Sequence, residues 1–238
     1  MTMPKQDTNT NANTNTNTMR ALQALENGNS SVRLQAALAV GTTPDPRCID
    51  RLVERCAVEP EFLVRDMLTW ALTRHSAAMT VPVLLQELRS ERAQARSQAL
   101  HTLSKIGDRQ AWPALTRELL TDADDEVART AWRAAIVLVP EEEEPELAGV
   151  LATQLGRGGR ETQLSLSRSL IALGEVIVPM LRAAMTPDAV PHVRHHAIAT
   201  ERLLRDPDAG FEFAIEEAKR IVVLGTTGPE ASEEPEES

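Results

Sequence analysis

A chain of 238 residues, 42 % hydrophobic and 25 % charged, is long enough to bury a substantial core in one domain or two. Aromatic residues are only 3 % and tyrosine is absent, so the core must be Ala, Leu, Val and Ile, which suits closely packed helices and leaves few rigid anchors for binding hot spots. Of the formal charge of −10, five negative charges (Glu230, Glu233, Glu234, Glu236, Glu237) lie in 225–238, leaving −5 on the rest, a poor match for nucleic acid or an anionic membrane.

Residues 8–18 are Thr and Asn broken only by Ala12, poor helix formers with nothing to bury, which predicts a disordered tail over 1–18. The ordered chain is expected over 19–224, opening with the helix-like Arg20-Ala-Leu-Gln-Ala-Leu-Glu26. The Glu-rich 225–238 reads as a second disordered tail.

Between the tails one signature recurs: an aliphatic residue, usually followed by Arg, with a small or aliphatic residue three places after the Arg. It reads Val32-Arg33 to Ala36, Val64-Arg65 to Leu68, Ala95-Arg96 to Ala99 and Val193-Arg194 to Ala197, with degenerate copies at Val127-Ala128 and Thr162-Gln163. The near-constant spacing of 31 to 35 residues marks a repeat architecture. Each unit has a second half that begins near a proline, as in Val81-Pro82, Trp112-Pro113 and Val178-Pro179, where the missing N–H of a first-turn Pro costs no hydrogen bond. Helices are predicted near 19–27, 30–41, 46–58, 61–74, 78–90, 92–106, 109–121, 124–138, 144–156, 160–173, 175–185, 190–204 and 210–223. Ile106-Gly107-Asp108 supplies a left-handed stop and then an N-cap. Leu100, Leu103 and Ile106, like Leu166, Leu170 and Leu173, form stripes at helical spacing. Short connections make antiparallel hairpins, and stacking six of them buries the stripes in one elongated domain.

The run from Ala95 to Leu115, Ala-Arg-x-x-Ala-x-x-x-Leu-x-x-Ile-Gly-Asp-x-x-Ala-x-Pro-x-Leu, resembles the HEAT repeat, in particular its short bacterial form named after phycobilin lyases. The resemblance covers roughly 30–223 and implies an all-α superhelix, a solenoid of about six helical hairpins. It implies no single function, since such repeats serve scaffolds, adaptors, chromophore lyases, hydroxylases and DNA glycosylases.

The arginines Arg33, Arg65, Arg96 and Arg194 recur in the signature, which is expected of inter-repeat contacts rather than a phosphate ladder. His192, His195 and His196 share a helix with no evident third ligand. HEAT-type hydroxylases hold two irons with adjacent His-Glu pairs, and this sequence has none. By alignment Trp70 takes the slot of Leu38 and Trp112 that of Val81, both expected in the core. Gly156-Arg-Gly-Gly159 reads as a flexible joint, not a phosphate cradle, because no strand precedes it. Cys48 and Cys56, eight residues apart on one helix, cannot bridge and read as small buried residues of a reduced compartment.

No catalytic, cofactor-binding or metal-binding residues are read from the sequence, and the chain is expected not to be an enzyme and to carry no cofactor. The amino terminus lacks the charged and apolar regions of a secretory signal and no apolar run approaches a membrane span, which predicts a cytoplasmic bacterial protein with no membrane partner. The expected role is a scaffold or adaptor whose second helices line a concave groove for a protein partner. The candidate contact residues are Arg51, Glu54, Arg55, Gln86, Glu87, Arg89, Arg117 and Glu118, a mixed-charge set suited to a protein rather than a polyanion. The alternatives are a lyase-like enzyme acting on a bound tetrapyrrole, implied by the resemblance alone, and nucleic-acid binding through Arg33, Arg51, Arg55, Arg89 and Arg117, which the acidic balance disfavours.

Overall fold

The computed structural model describes residues 7–226, with no strand among them, and divides after Leu138 into two compact units. The sequence reading has one uninterrupted array. Residues 1–6 and 227–238, and with them most of the expected acidic tail, lie outside the described residues.

The first unit holds α1 (Asp7–Ala24), α2 (Ser30–Thr42), α3 (Ile49–Cys56), α4 (Phe62–Thr73), α5 (Ala77–Glu87), α6 (Ala93–Ile106), α7 (Arg117–Leu120) and α8 (Asp125–Leu138). The helix α1 takes in most of the tract expected to be disordered. Extending a helix already nucleated downstream adds one bond per residue fixed, which is far easier than starting one in Thr and Asn. From α2 on the helices alternate between two layers. In one, α2, α4, α6 and α8 pack in succession; in the other, α3 packs on α5, and α5 on a 3-10 stretch, Arg109–Ala114, that leads to the single turn of α7. The layers enclose Val40, Leu52, Leu68, Leu72, Leu84, Leu100, Leu103 and Leu138, all buried, while Ile106 is half-buried at the end of its stripe.

Local signals act largely as the sequence implies. Gly107 takes φ 70°, its N–H donating to the carbonyl of Leu103 at 2.9 Å, and Asp108 accepts from the N–H of Gln110 at 3.0 Å. Pro82 is an exception. It sits inside α5 because Ser76 starts that helix a turn and a half earlier, whereas Pro179 falls in the first turn of its helix. The tryptophans also differ from expectation. Trp132 is the fully buried one, its indole N–H donating to the carbonyl of Leu120 at 2.8 Å. Trp70 does share a slot with Leu38, but that slot faces outward: Trp70 is 37 % exposed and lies across Gly41, where a Cβ would come within 2.3 Å of the indole.

The second unit holds α9 (Glu144–Ala152), α10 (Arg160–Ala172), α11 (Val178–Ala184), α12 (Pro191–Arg205) and α13 (Phe211–Thr226). Here α12 packs on α10, α11 and α13, and α9 on α10 and α11. Leu147, Leu151, Leu166, Leu170, Ile177, Leu181 and Ala197 are buried, and Ala199, Leu203, Phe211, Ala214, Ile215 and Ala218 form a cluster at α12 and α13. The predicted joint at Gly156 is tied rather than loose: its N–H donates to Nδ1 of the buried His196 at 2.8 Å.

Candidate functional site

Three of the four recurrent arginines, Arg33, Arg65 and Arg96, prove to be structural struts, whereas Arg194 has its Nε buried without a hydrogen-bond partner among the described residues. In each of Arg33, Arg65 and Arg96 the Nη1 group donates to the carbonyls six and five residues before it: Asn27 and Gly28 at 2.9 and 3.0 Å, Glu59 and Pro60 at 2.9 and 2.6 Å, Ser90 and Glu91 at 2.8 and 3.2 Å. Each arginine thereby clamps the turn that enters its own helix. The second edge of the guanidinium, Nε with Nη2, grips a carboxylate 26 residues on: Arg33 holds Glu59 at 2.7 Å through both nitrogens, and Arg96 holds Asp122 at 3.0 and 3.2 Å. Such bidentate pairing suits the planar fork of arginine. Gln163, in the fifth copy, reaches the carbonyls of Gly156 and Gly158 at 3.5 and 3.3 Å in the same role.

Buried hydroxyls tie neighbouring helices of the first layer at a fixed interval of 33 residues: Thr69 with Thr102 at 3.5 Å, Ser97 with Thr130 at 3.3 Å and, in the second unit, Ser167 with Thr200 at 2.7 Å. The sequence reading missed these pairs. Small hydroxyl residues recurring at 33 positions were the available signal.

Glu59 is the most heavily engaged side chain. It is fully buried and accepts from Arg33, from Arg55 Nε and Nη2 at 2.9 and 2.7 Å, and from the N–H of Glu61 at 2.9 Å. Burial pushes its pKa up, but the Arg33 fork, the Glu61 N–H and Arg55 outweigh it and hold the carboxyl at about 2.

The eight candidate contact residues fall into three groups. Arg51 and Arg55 are drawn into a network, Arg51 to Glu54 at 2.7 Å and to Glu26 at 2.9 Å, Arg55 to Glu59 and to Glu26. Arg89 and Glu118 come together on the lining of a recess of about 620 Å³ bounded by Leu85, Pro113, Thr116 and Asp122. Gln86 and Arg117 are exposed and Glu87 half-buried, without lining that recess. The arginine stripe considered for nucleic acid is broken, because Arg33 is buried against Glu59 and offers nothing to a phosphate.

A second groove, of about 370 Å³, opens on the first layer between α4, α6 and α8. Phe62, Arg65, Asp66, Gln94, His101 and Arg133 contribute to its lining. His101 is held below its ordinary pKa by burial, then by Lys105 and Arg133. No sequence signal marked this groove, since its residues come from three helices and share no motif.

Of the three clustered histidines, His196 is structural, while His192 is exposed and His195 half-buried. His196 is fully buried, and because its Nδ1 accepts from Gly156, its Nε2 carries the proton toward the carbonyl of Gln163 at 3.1 Å or the hydroxyl of Ser167 at 3.0 Å. Burial lowers its pKa to about 4. Among the described residues no group of three or more His, Cys, Asp or Glu is placed to hold a metal. Cys48 and Cys56 are free and buried, and burial pushes the Cys56 thiol up to about 12. Among the same residues no single helix is long and apolar enough to cross a membrane.

Paired helices in two layers, clamped by arginines at the repeat interval, define a helical-repeat protein. Residues 59–137, which take in α4 to all but the last residue of α8, match the family of HEAT repeats. No curated protein matches the chain. Among solved structures it is similar to human deoxyhypusine hydroxylase in complex with glycerol, at 18 % identity and a TM-score of 0.47, over 91 % of this chain and 98 % of that one. That protein is an enzyme with a HEAT-repeat fold, so the expectation that this chain is not an enzyme does not stand: a solenoid of this kind does not mark a non-enzyme. At that identity and TM-score the likeness carries no activity to this chain.

Proposed function

We propose that the chain is a helical-repeat scaffold that binds a partner protein across the layer of α3, α5 and α7. The observation that carries the reading is the recess between α5 and α7, where Arg89 and Glu118 present opposite charges around the apolar Leu85 and Pro113. Mixed charge at the rim of an apolar floor suits a protein surface and disfavours a polyanion. The two unpaired, buried cysteines fit a reducing cytoplasm. The tetrapyrrole reading rests on the family resemblance alone.

The test is affinity purification from native cells with the wild-type chain and the double charge reversal Arg89→Glu, Glu118→Arg. The wild type is expected to retain one protein in near-stoichiometric amount, and the reversal to lose it with an unchanged melting temperature. Recovery of nucleic acid and no protein would overturn the proposal.

A further inference from the structure

The arginine pattern is incomplete at Arg65, which lines the groove on the other layer. The carboxylates that close the forks stand six residues before the next signature position, Glu59 before Arg65 and Asp122 before Ala128. The spacing from Arg65 to Arg96 is one residue shorter than its neighbours, so the place six residues before Arg96 is Ser90, while the place 26 residues after Arg65 is Glu91, which is exposed and makes no ion pair with Arg65 among the described residues. The Ser90 hydroxyl accepts instead from the N–H of Arg92 at 3.4 Å. Among the described residues nothing occupies Arg65 Nε and Nη2; only Nη1 is used, on Glu59 and Pro60. The free edge belongs to a residue that lines the groove of about 370 Å³.

The other charges on that lining are largely committed. Arg133 donates to Thr130 at 2.9 Å and to Glu126 at 3.5 Å, and Asp124 caps α8 by accepting from the N–H groups of Glu126 and Val127 at 2.9 and 3.1 Å. Asp66, next to Arg65 in sequence, is exposed and makes no hydrogen bond or ion pair among the described residues. Phe62 is 69 % exposed with the Arg65 guanidinium 6.0 Å from its ring centre. The lining of the groove thus includes an apolar ring, a guanidinium with one edge unused and an exposed carboxylate.

We infer that this groove is a second docking site, taking a partner-protein segment that carries an apolar, an acidic and a basic side chain in close succession. The acidic side chain closes the Arg65 fork as Glu59 and Asp122 close those of Arg33 and Arg96, the basic one meets Asp66, and the apolar one covers Phe62. Asp66, Asp124 and Glu126 repel the dense charge of a nucleic acid, while a single carboxylate facing a preset fork gains a bidentate, charge-assisted pair. The groove shares no lining residue with the recess at Arg89, although Ser90 lines that recess.

The probe is the peptide acetyl-Leu-Glu-Lys-amide, with acetyl-Leu-Gln-Lys-amide as control, titrated into the full chain while the arginine Nε–H signals are followed by NMR. The Glu peptide is expected to shift the Arg65 Nε–H signal saturably, and the Gln peptide to bind about tenfold more weakly, the size of one charge-assisted pair in a partly exposed site. Ser90→Asp supplies the missing carboxylate from within: it should move the Arg65 signal without peptide, raise the melting temperature and abolish the peptide shift. Arg65→Lys keeps the charge but has no second edge, and should bring the two peptides to equal affinity. Arg89→Glu should leave the titration unchanged. Equal binding of both peptides by the wild type, an equal shift with inorganic phosphate at the same concentration, or an Arg65 signal indifferent to Ser90→Asp would each overturn the inference.

Discussion

Replacing Glu59 by Gln tests the electrostatic centre of the first unit. The substitution keeps the shape of the side chain but removes the charge that faces Arg33 and Arg55, whose side chains are nearly and largely buried. Removing one member of a buried charge network leaves its partners uncompensated and costs about 3 to 5 kcal/mol. The pH dependence gives a second route to the magnitude. Glu59 titrates at about 2 in the folded chain against an ordinary 4.5. Below pH 4.5 the unfolded chain therefore takes up a proton that the folded chain refuses until about pH 2. The stabilisation is complete above 4.5 and is lost as the pH falls to about 2, which corresponds to about 3 kcal/mol at about 1.4 kcal/mol per pH unit. Both routes agree. Thermal melts followed by far-UV circular dichroism should show Glu59→Gln melting about 10 °C below the wild type at neutral pH. The gap should narrow steadily as both are acidified through the window in which Glu59 protonates. The reasoning fails if the variant lies within about 1 kcal/mol of the wild type at neutral pH, or if the gap is the same in acid.

The second unit should weaken as pH falls from 6.5 toward about 4, because the unfolded chain protonates His196 while the folded one holds it neutral; nitrogen NMR should find the proton on Nε2, and a proton on Nδ1 would contradict the Gly156 bond. Gly41→Ala forces a methyl into Trp70 and the Ala71 backbone, at 2.3 and 2.9 Å, and should cost about 2 kcal/mol in urea unfolding although Ala is the better helix former. Trp132→Phe strands the carbonyl of Leu120 and leaves a void, so a loss of about 2 to 3 kcal/mol in the same assay is expected.

Much of the architecture was legible because it is written at short range. The spacing of Arg33, Arg65 and Arg96 sets the repeat, Gly107 and Asp108 end one helix and start the next, and the Leu166, Leu170 and Leu173 stripe faces inward as its period implies. What the sequence hid was which neighbour a side chain meets. Trp70 and Leu38 were correctly matched, yet periodicity alone could not tell that their shared slot faces outward over Gly41. The Thr and Asn tract carries no helical signal of its own, so its continuation of α1 depends on the helix behind it. Arg65 looks like its siblings in sequence, and only the position of Ser90 in the fold separates a strut with a free edge from two that are closed. The division after Leu138 has no mark in composition, since the signature runs on past it.

The hydroxyl pairs and arginine clamps close over 33 and 26 residues. A nascent chain therefore needs only a short stretch of newly made polypeptide before each layer can be locked to the one already formed. Assembly can follow synthesis from the amino end, without waiting for distant segments to meet, as expected for a topology of low contact order.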